Sequence, residues 1–128
     1  MKYFDVMRRV KALDLPKDRS LKYSIGKVRP HSRLETFEHF LVKATLTKVL
    51  QDKGIGVVSE CEFANGRVVD VLGVYPNSFV AYEIESKGEN TKCEVPDVDE
   101  MVIDLRNIPK DVVKSIDFLR KWIEEQVV

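Results

Sequence analysis

The chain has 128 residues, 44% of them apolar and 33% charged, enough for one domain around one core. It holds no apolar run of about 18 residues, and its first twenty, MKYFDVMRRVKALDLPKDRS, are charged throughout; the expectation is an intracellular, cytoplasmic protein with neither membrane span nor leader peptide. Net charge is zero, but residues 1–33 carry ten Lys/Arg against three Asp and the remainder eleven Lys/Arg against eighteen Asp/Glu, so a basic segment precedes an acidic body.

Residues 2–14 space Phe4, Val6, Met7, Val10 and Leu13 as a short helix, which Leu15-Pro16 ends. Residues 16–33 read as a loop or arm. Within 1–33 the cations Arg8, Arg9, Lys11, Lys17, Arg19, Lys22, Lys27, Arg29 and Arg33 either pack on the acidic body or contact phosphate.

Ser32 followed by Glu35 has the capping-box pattern, and the longest helical signal runs from there to Asp52. Phe37, Leu41, Ala44 or Thr45, and Lys48 or Val49 mark its apolar face, and Gly54 takes the C′ position. Three strands are predicted over Val57–Phe63, Arg67–Tyr75 and Phe79–Ser86, with hairpin turns at Ala64–Gly66 and Pro76–Ser78. A polar loop is expected over 88–100, a fourth strand over Met101–Leu105, and a last helix over Lys110–Gln126 with Pro109 near its first turn. Val113, Ile116, Phe118 or Leu119, and Ile123 form that helix's stripe; it covers the sheet or, with Trp122, offers a dimer surface. The order gives an α/β domain bordering on α+β: a mixed sheet of about four strands flanked by helices. Cys61 and Cys93 make no CxxC pair and stand far from His31 and His39, so buried thiols are expected and a zinc site is not.

The predicted strands contain charges that are costly to bury unless they are paired or hold a metal. Strand alternation puts Ala81, Glu83, Glu85 and Lys87 on one face, and the hairpin sets Asp70 across from residues 83–86. Two carboxylates so placed can share a hard divalent cation such as Mg²⁺, and a neighbouring lysine can orient water and offset phosphate charge. Those are the parts of metal-assisted phosphodiester hydrolysis.

Asp70 followed by Glu83-Ile84-Glu85-Ser86-Lys87 resembles the PD-(D/E)XK nuclease motif, an acid on one strand and acid-x-lysine on the next. Glu38-His39-Phe40-Leu41-Val42 is similar to the Glu-x-x-Leu-Val of archaeal Holliday-junction resolvases, whose helix glutamate completes the metal site. The resemblance covers about residues 34–105 and implies a restriction-endonuclease-like core in a domain over 34–128, with 1–33 as a basic arm or helix. Val69 stands where the motif's proline would be. Two registers exist: Glu83 as the motif acid puts Glu85 at the lysine position, whereas Glu85-Ser86-Lys87 restores the lysine at a longer spacing.

The resemblance implies a Mg²⁺- or Mn²⁺-dependent DNA endonuclease, nearest to enzymes of branched DNA and acting as a homodimer. Asp70, Glu83 and Glu85 are its expected metal ligands, with Glu38 in addition and Lys87 assisting. Glu35 caps the helix, Glu60 and Glu62 are lesser acids, and Arg67 contacts phosphate or pairs with Glu62. The alternative is a catalytically inactive nuclease-fold protein that binds nucleic acid or a protein partner.

Overall fold

A computed structural model of the chain describes residues 1–13, 15, 24–29, 35–86, 94–110 and 115–127. The elements run α1 (Tyr3–Lys11), α2 (Phe37–Asp52), β1 (Gly56–Glu62), β2 (Val68–Val74), β3 (Phe79–Glu85), β4 (Val98–Asp104), a 3₁₀ turn (Leu105–Asn107) and α3 (Ile116–Gln126). The strands form one mixed sheet in the order β1-β2-β3-β4. β1, β2 and β3 are antiparallel neighbours, and β4 runs parallel to β3.

α2 begins later than its expected cap. Thr36 is the N-cap, its hydroxyl accepting the His39 N–H, and Ser32 lies outside the described residues. Glu35 instead points its carboxylate at side chains of the helix. The other end is as expected: Gly54 has φ +77, its N–H reaches the Gln51 carbonyl and that of Ile55 the Leu50 carbonyl, a Schellman closure. The buried face is Val42, Thr45, Leu46, Val49 and Leu50, about a residue round from the expected stripe, and Phe37 is exposed.

β4 starts three residues before its expected start, because Val98–Glu100 pair with Phe79–Ala81. Parallel pairing requires a crossover, and residues 86–97 supply a length suited to one. α3 begins at Ile116 rather than Lys110. Leu119 and Ile123 are buried with Trp122 packed beside them, whereas Ile116 and Phe118 face outward.

Two apolar layers sandwich the sheet. Val42, Leu46 and Leu50 of α2 and Leu119 and Ile123 of α3 meet Val57, Val71, Tyr82, Ile84 and Ile103. Val6 and Val10 of α1 meet Val58, Leu72, Val74 and Ala81 on the opposite face. A Cβ on Gly56 would stand 2.5 Å from Val6 Cγ2, so α1 docks this closely only over a glycine. Cys61 is a buried thiol, and Cys93 and His31 lie outside the described residues. No described helix is long and apolar enough to cross a membrane.

Candidate metal centre at the divergence of β2 and β3

The β2–β3 register runs from Val74↔Phe79 to Val71↔Tyr82 and stops there. At the next position the Asp70 side chain enters the ladder, its Oδ2 accepting the Ile84 N–H at 2.8 Å. Alternation fails at the same place. Val69 belongs to the α1-side core and Val71 to the α2-side core, although residues two apart on a strand share a face. Across from this kink Glu60 holds φ +48, a left-handed conformation rare for a residue with a side chain. The distortion gives Asp70 access both to α2 and to the gap between the separating strands.

A line of charges reaches Asp70 from α2. His39 and Lys43 stand four apart on one face of α2, and Glu35, just before the N-cap, reaches back to both. Lys43 is fully buried, its Nζ 2.5 Å from Glu35 Oε1 and 2.9 Å from Glu60 Oε1. The same Glu35 oxygen lies 2.7 Å from His39 Nδ1, and His39 Nε2 is 3.6 Å from Asp70 Oδ2. The Asp70 carboxylate raises the His39 pKa against the opposing effect of burial. Burial works to raise that of Asp70, but His39, the Ile84 N–H and Lys43 outweigh it and hold the carboxyl below its ordinary range.

Glu83 has the opposite balance. Burial, then the neighbouring charges of Asp70, Glu85 and Glu100, push its pKa up to about 8, and Arg67 only partly counters them. Arg67 Nη2 stands 3.2 Å from Glu83 Oε1, yet that buried oxygen has no hydrogen-bond partner among the described residues. Two carboxyl groups whose surroundings drive them apart, one ionised and one holding its proton, mark a place where positive charge is in demand.

The arrangement brings Asp70 and Glu83 together, with Glu85 half-buried two residues further along β3. Glu38 is exposed and lines a separate cavity whose described lining includes neither Asp70 nor Glu83. Among the described residues no group of three or more His, Cys, Asp or Glu side chains is assembled to hold a metal ion. Arg67 pairs with Glu83. Arg9 donates to the Tyr75 carbonyl and lies 4.9 Å from the Phe79 ring centroid, which makes it an anchor for α1. Arg29 donates to the Ser24 hydroxyl. Arg8, Lys11 and Lys27 are exposed, Arg8 within 3.7 Å of Asp5. Lys17, Arg19, Lys22, Arg33 and Lys87 lie outside the described residues.

The sequence reading missed Glu35, His39 and Lys43 as neighbours of the site. Their signal was present: three ionisable residues four apart across the start of a helix that also has an apolar side. A scan of family models finds no match to the chain, and neither curated proteins nor solved structures give one.

Proposed function

We propose that the protein is a divalent-metal-dependent nuclease with a restriction-endonuclease-like core, Asp70 and Glu83 being its principal metal ligands. The observation that carries the reading is the buried Glu83 oxygen without a hydrogen bond, beside an ionised Asp70 where β2 and β3 part. The donor set fits a hard cation. Mg²⁺ and Mn²⁺ sites commonly hold one or two carboxylates and fill the other positions with water and substrate phosphate, so two acids suffice. A helix, three antiparallel strands and a parallel fourth also agree with the core that the motif implies.

The ion, when bound, supplies Lewis-acid stabilisation of the phosphoryl charge and a nucleophile at neutral pH. The chain's own groups do the rest. His39, clasped by Glu35, holds Asp70 ionised and oriented. Glu83 would give up its proton to hold the ion, whose charge would offset the repulsion between the two carboxylates. Arg67, paired with Glu83 here, would then be able to donate to phosphate. Glu85 adds negative charge beside the ligands, and Lys87 is the candidate for orienting the attacking water. Arg8, Lys11 and Lys27 follow the nucleic-acid backbone. DNA is the substrate class, branched DNA the first form to test, and a symmetric homodimer the natural way to cut two strands.

Two observations favour a second reading, an inactive nuclease fold that binds nucleic acid or a protein. Arg67 already gives Glu83 a cation, and Glu85 occupies a lysine position. Cleavage of duplex, branched and single-stranded DNA with Mn²⁺, by the wild type and by Asp70→Ala, decides between them. The nuclease reading predicts cutting that Asp70→Ala abolishes. Binding without cutting under every condition supports the inactive fold.

A further inference from the structure

The parallel pairing of β3 and β4 has a geometric consequence. Both strands deliver their carboxyl ends to the same edge of the sheet, where Ser86 follows β3 and Leu105 follows β4. Crevices outside the carboxyl ends of parallel strands are where open α/β sheets take ligands. A cavity of about 570 Å³ opens there, within the size range of small-molecule sites. Its inner wall is apolar, built from Leu105 and the buried Ile108.

The polar groups of this cavity complement a nucleotide. Arg106 is held by Asp104 through Nε and Nη2, the Nη2 contact being 2.7 Å, which fixes the guanidinium and leaves Nη1 to donate elsewhere. Lys110 lines the same cavity and has no ion-pair partner among the described residues. Together they present two cations to one anion. Glu38, on the α2 side of the cavity, likewise has no partner there, and a carboxylate accepts from the amino edge of a base. Ser86 adds a hydroxyl next to Glu85, three residues and so about 10 Å along the strand from Glu83.

The geometry points to a nucleotide-binding pocket: phosphate on Arg106 and Lys110, base against Leu105 and Ile108, and a base amino group on Glu38. The pocket deepens the nuclease reading and rests on it for one point, that the nucleotide belongs to the strand being cut and lies next to the scissile phosphate. Glu38 is thereby a contact for a base and not a metal ligand.

The test uses the full chain in the presence of a chelator, so that the acid pair plays no part. Adenosine, guanosine, cytidine and uridine monophosphates and inorganic phosphate are each titrated and followed by backbone amide NMR. The nucleotides should shift resonances of residues 36–38, 86 and 105–110, and bind more tightly than inorganic phosphate. The Arg106→Ala/Lys110→Ala pair should weaken nucleotide binding by about tenfold or more, the loss of two charged hydrogen bonds. Glu38→Gln should narrow the difference between the amino-bearing nucleotides and uridine monophosphate. Nucleotide shifts absent from these residues, or unchanged binding in the folded double variant, overturn the pocket; inorganic phosphate binding as tightly as any nucleotide overturns the base contact. A 5′-phosphorylated single-stranded oligonucleotide and its dephosphorylated twin then show whether the phosphate is that of a strand end: tighter binding of the first assigns it so, and equal binding places an internal nucleotide in the pocket. Mn²⁺ binding at Asp70 and Glu83, measured separately, fails or survives independently of all these outcomes.

Discussion

The two faces of the sheet bury chemically different material. Under α1 the core cluster is built from Val6, Val10, Val58, Cys61, Phe63, Leu72, Val74 and Ala81, apolar side chains and one thiol. Under α2 the same sheet buries Lys43, Glu60 and Asp70 beside Val42, Leu46 and Val71. An apolar face gains stability with every methylene it removes from water. A buried ion pair gives little net stability, because desolvating both partners offsets their attraction. The α2 face therefore carries groups that packing alone would not select, and they converge on the Asp70–Glu83 site.

The sharpest way to break this contrast is to strand the charges. Lys43→Ala leaves Glu35 and Glu60 buried without their cation and should cost about 3–5 kcal/mol in urea unfolding. Leu72→Ala, on the other face, should cost a similar amount, about 2–5 kcal/mol, through a cavity instead. The triple exchange Lys43→Met, Glu35→Leu, Glu60→Leu separates the two causes. It should recover most of the lost stability, since an apolar replacement removes the desolvation penalty with the pair, and it should weaken Mn²⁺ binding by freeing His39 from Glu35. A triple variant as unstable as Lys43→Ala would mean that the charges are there for stability.

Proton linkage gives the next effect. Glu83 has a folded pKa of about 8 against an ordinary 4.5, so the metal-free fold favours its protonated form. That contribution is complete below pH 4.5 and is lost as pH rises toward 8, at up to about 1.4 kcal/mol per pH unit. His39, raised from 6.5, acts with the same sign: its share is complete below 6.5 and lost as pH rises through its folded value. Asp70, lowered from 3.8, has the opposite sign, its share being present above 3.8 and lost only in acid. Denaturation between pH 5 and 8.5 should thus show falling stability, and Glu83→Gln should flatten the slope. A wild type equally stable across that range contradicts the assignment.

The smallest effects distinguish the cations of α1. Arg9→Ala removes a donor from the Tyr75 carbonyl and should cost about 1–3 kcal/mol. Arg8→Ala touches only an exposed pair and should change stability by less than about 0.5 kcal/mol. In DNA binding the order reverses: Arg8→Ala should reduce the salt slope by about one. Equal slopes for Arg8→Ala and wild type remove α1 from the nucleic-acid surface.

Much of this arrangement is legible in the residues. Alternation and turn chemistry located β1, β2 and β3 within a residue or two, because Gly66 and Pro76-Asn77 punctuate strongly apolar runs. The same alternation could not reveal the kink at Asp70, since a left-handed Glu60 and a side chain bonding into the ladder leave no periodic trace. β4 was cut short because Asp99 and Glu100 read as loop, although on an edge strand an exposed Asp99 and a part-buried Glu100 come at little cost. The burial of Lys43 leaves no mark in the sequence, which shows a lysine's charge and not the two glutamates that make its burial tolerable.

Asp70 and Glu83 are proposed to share one divalent cation. Calorimetric titration of Mn²⁺ into wild type, Asp70→Asn and Glu83→Gln at pH 8 tests it most directly. The account predicts one ion per chain in the wild type, release of protons on binding as Glu83 ionises, and loss of binding in both variants. Wild-type protein that takes up no Mn²⁺ at pH 8, or variants that bind it as the wild type does, would contradict it.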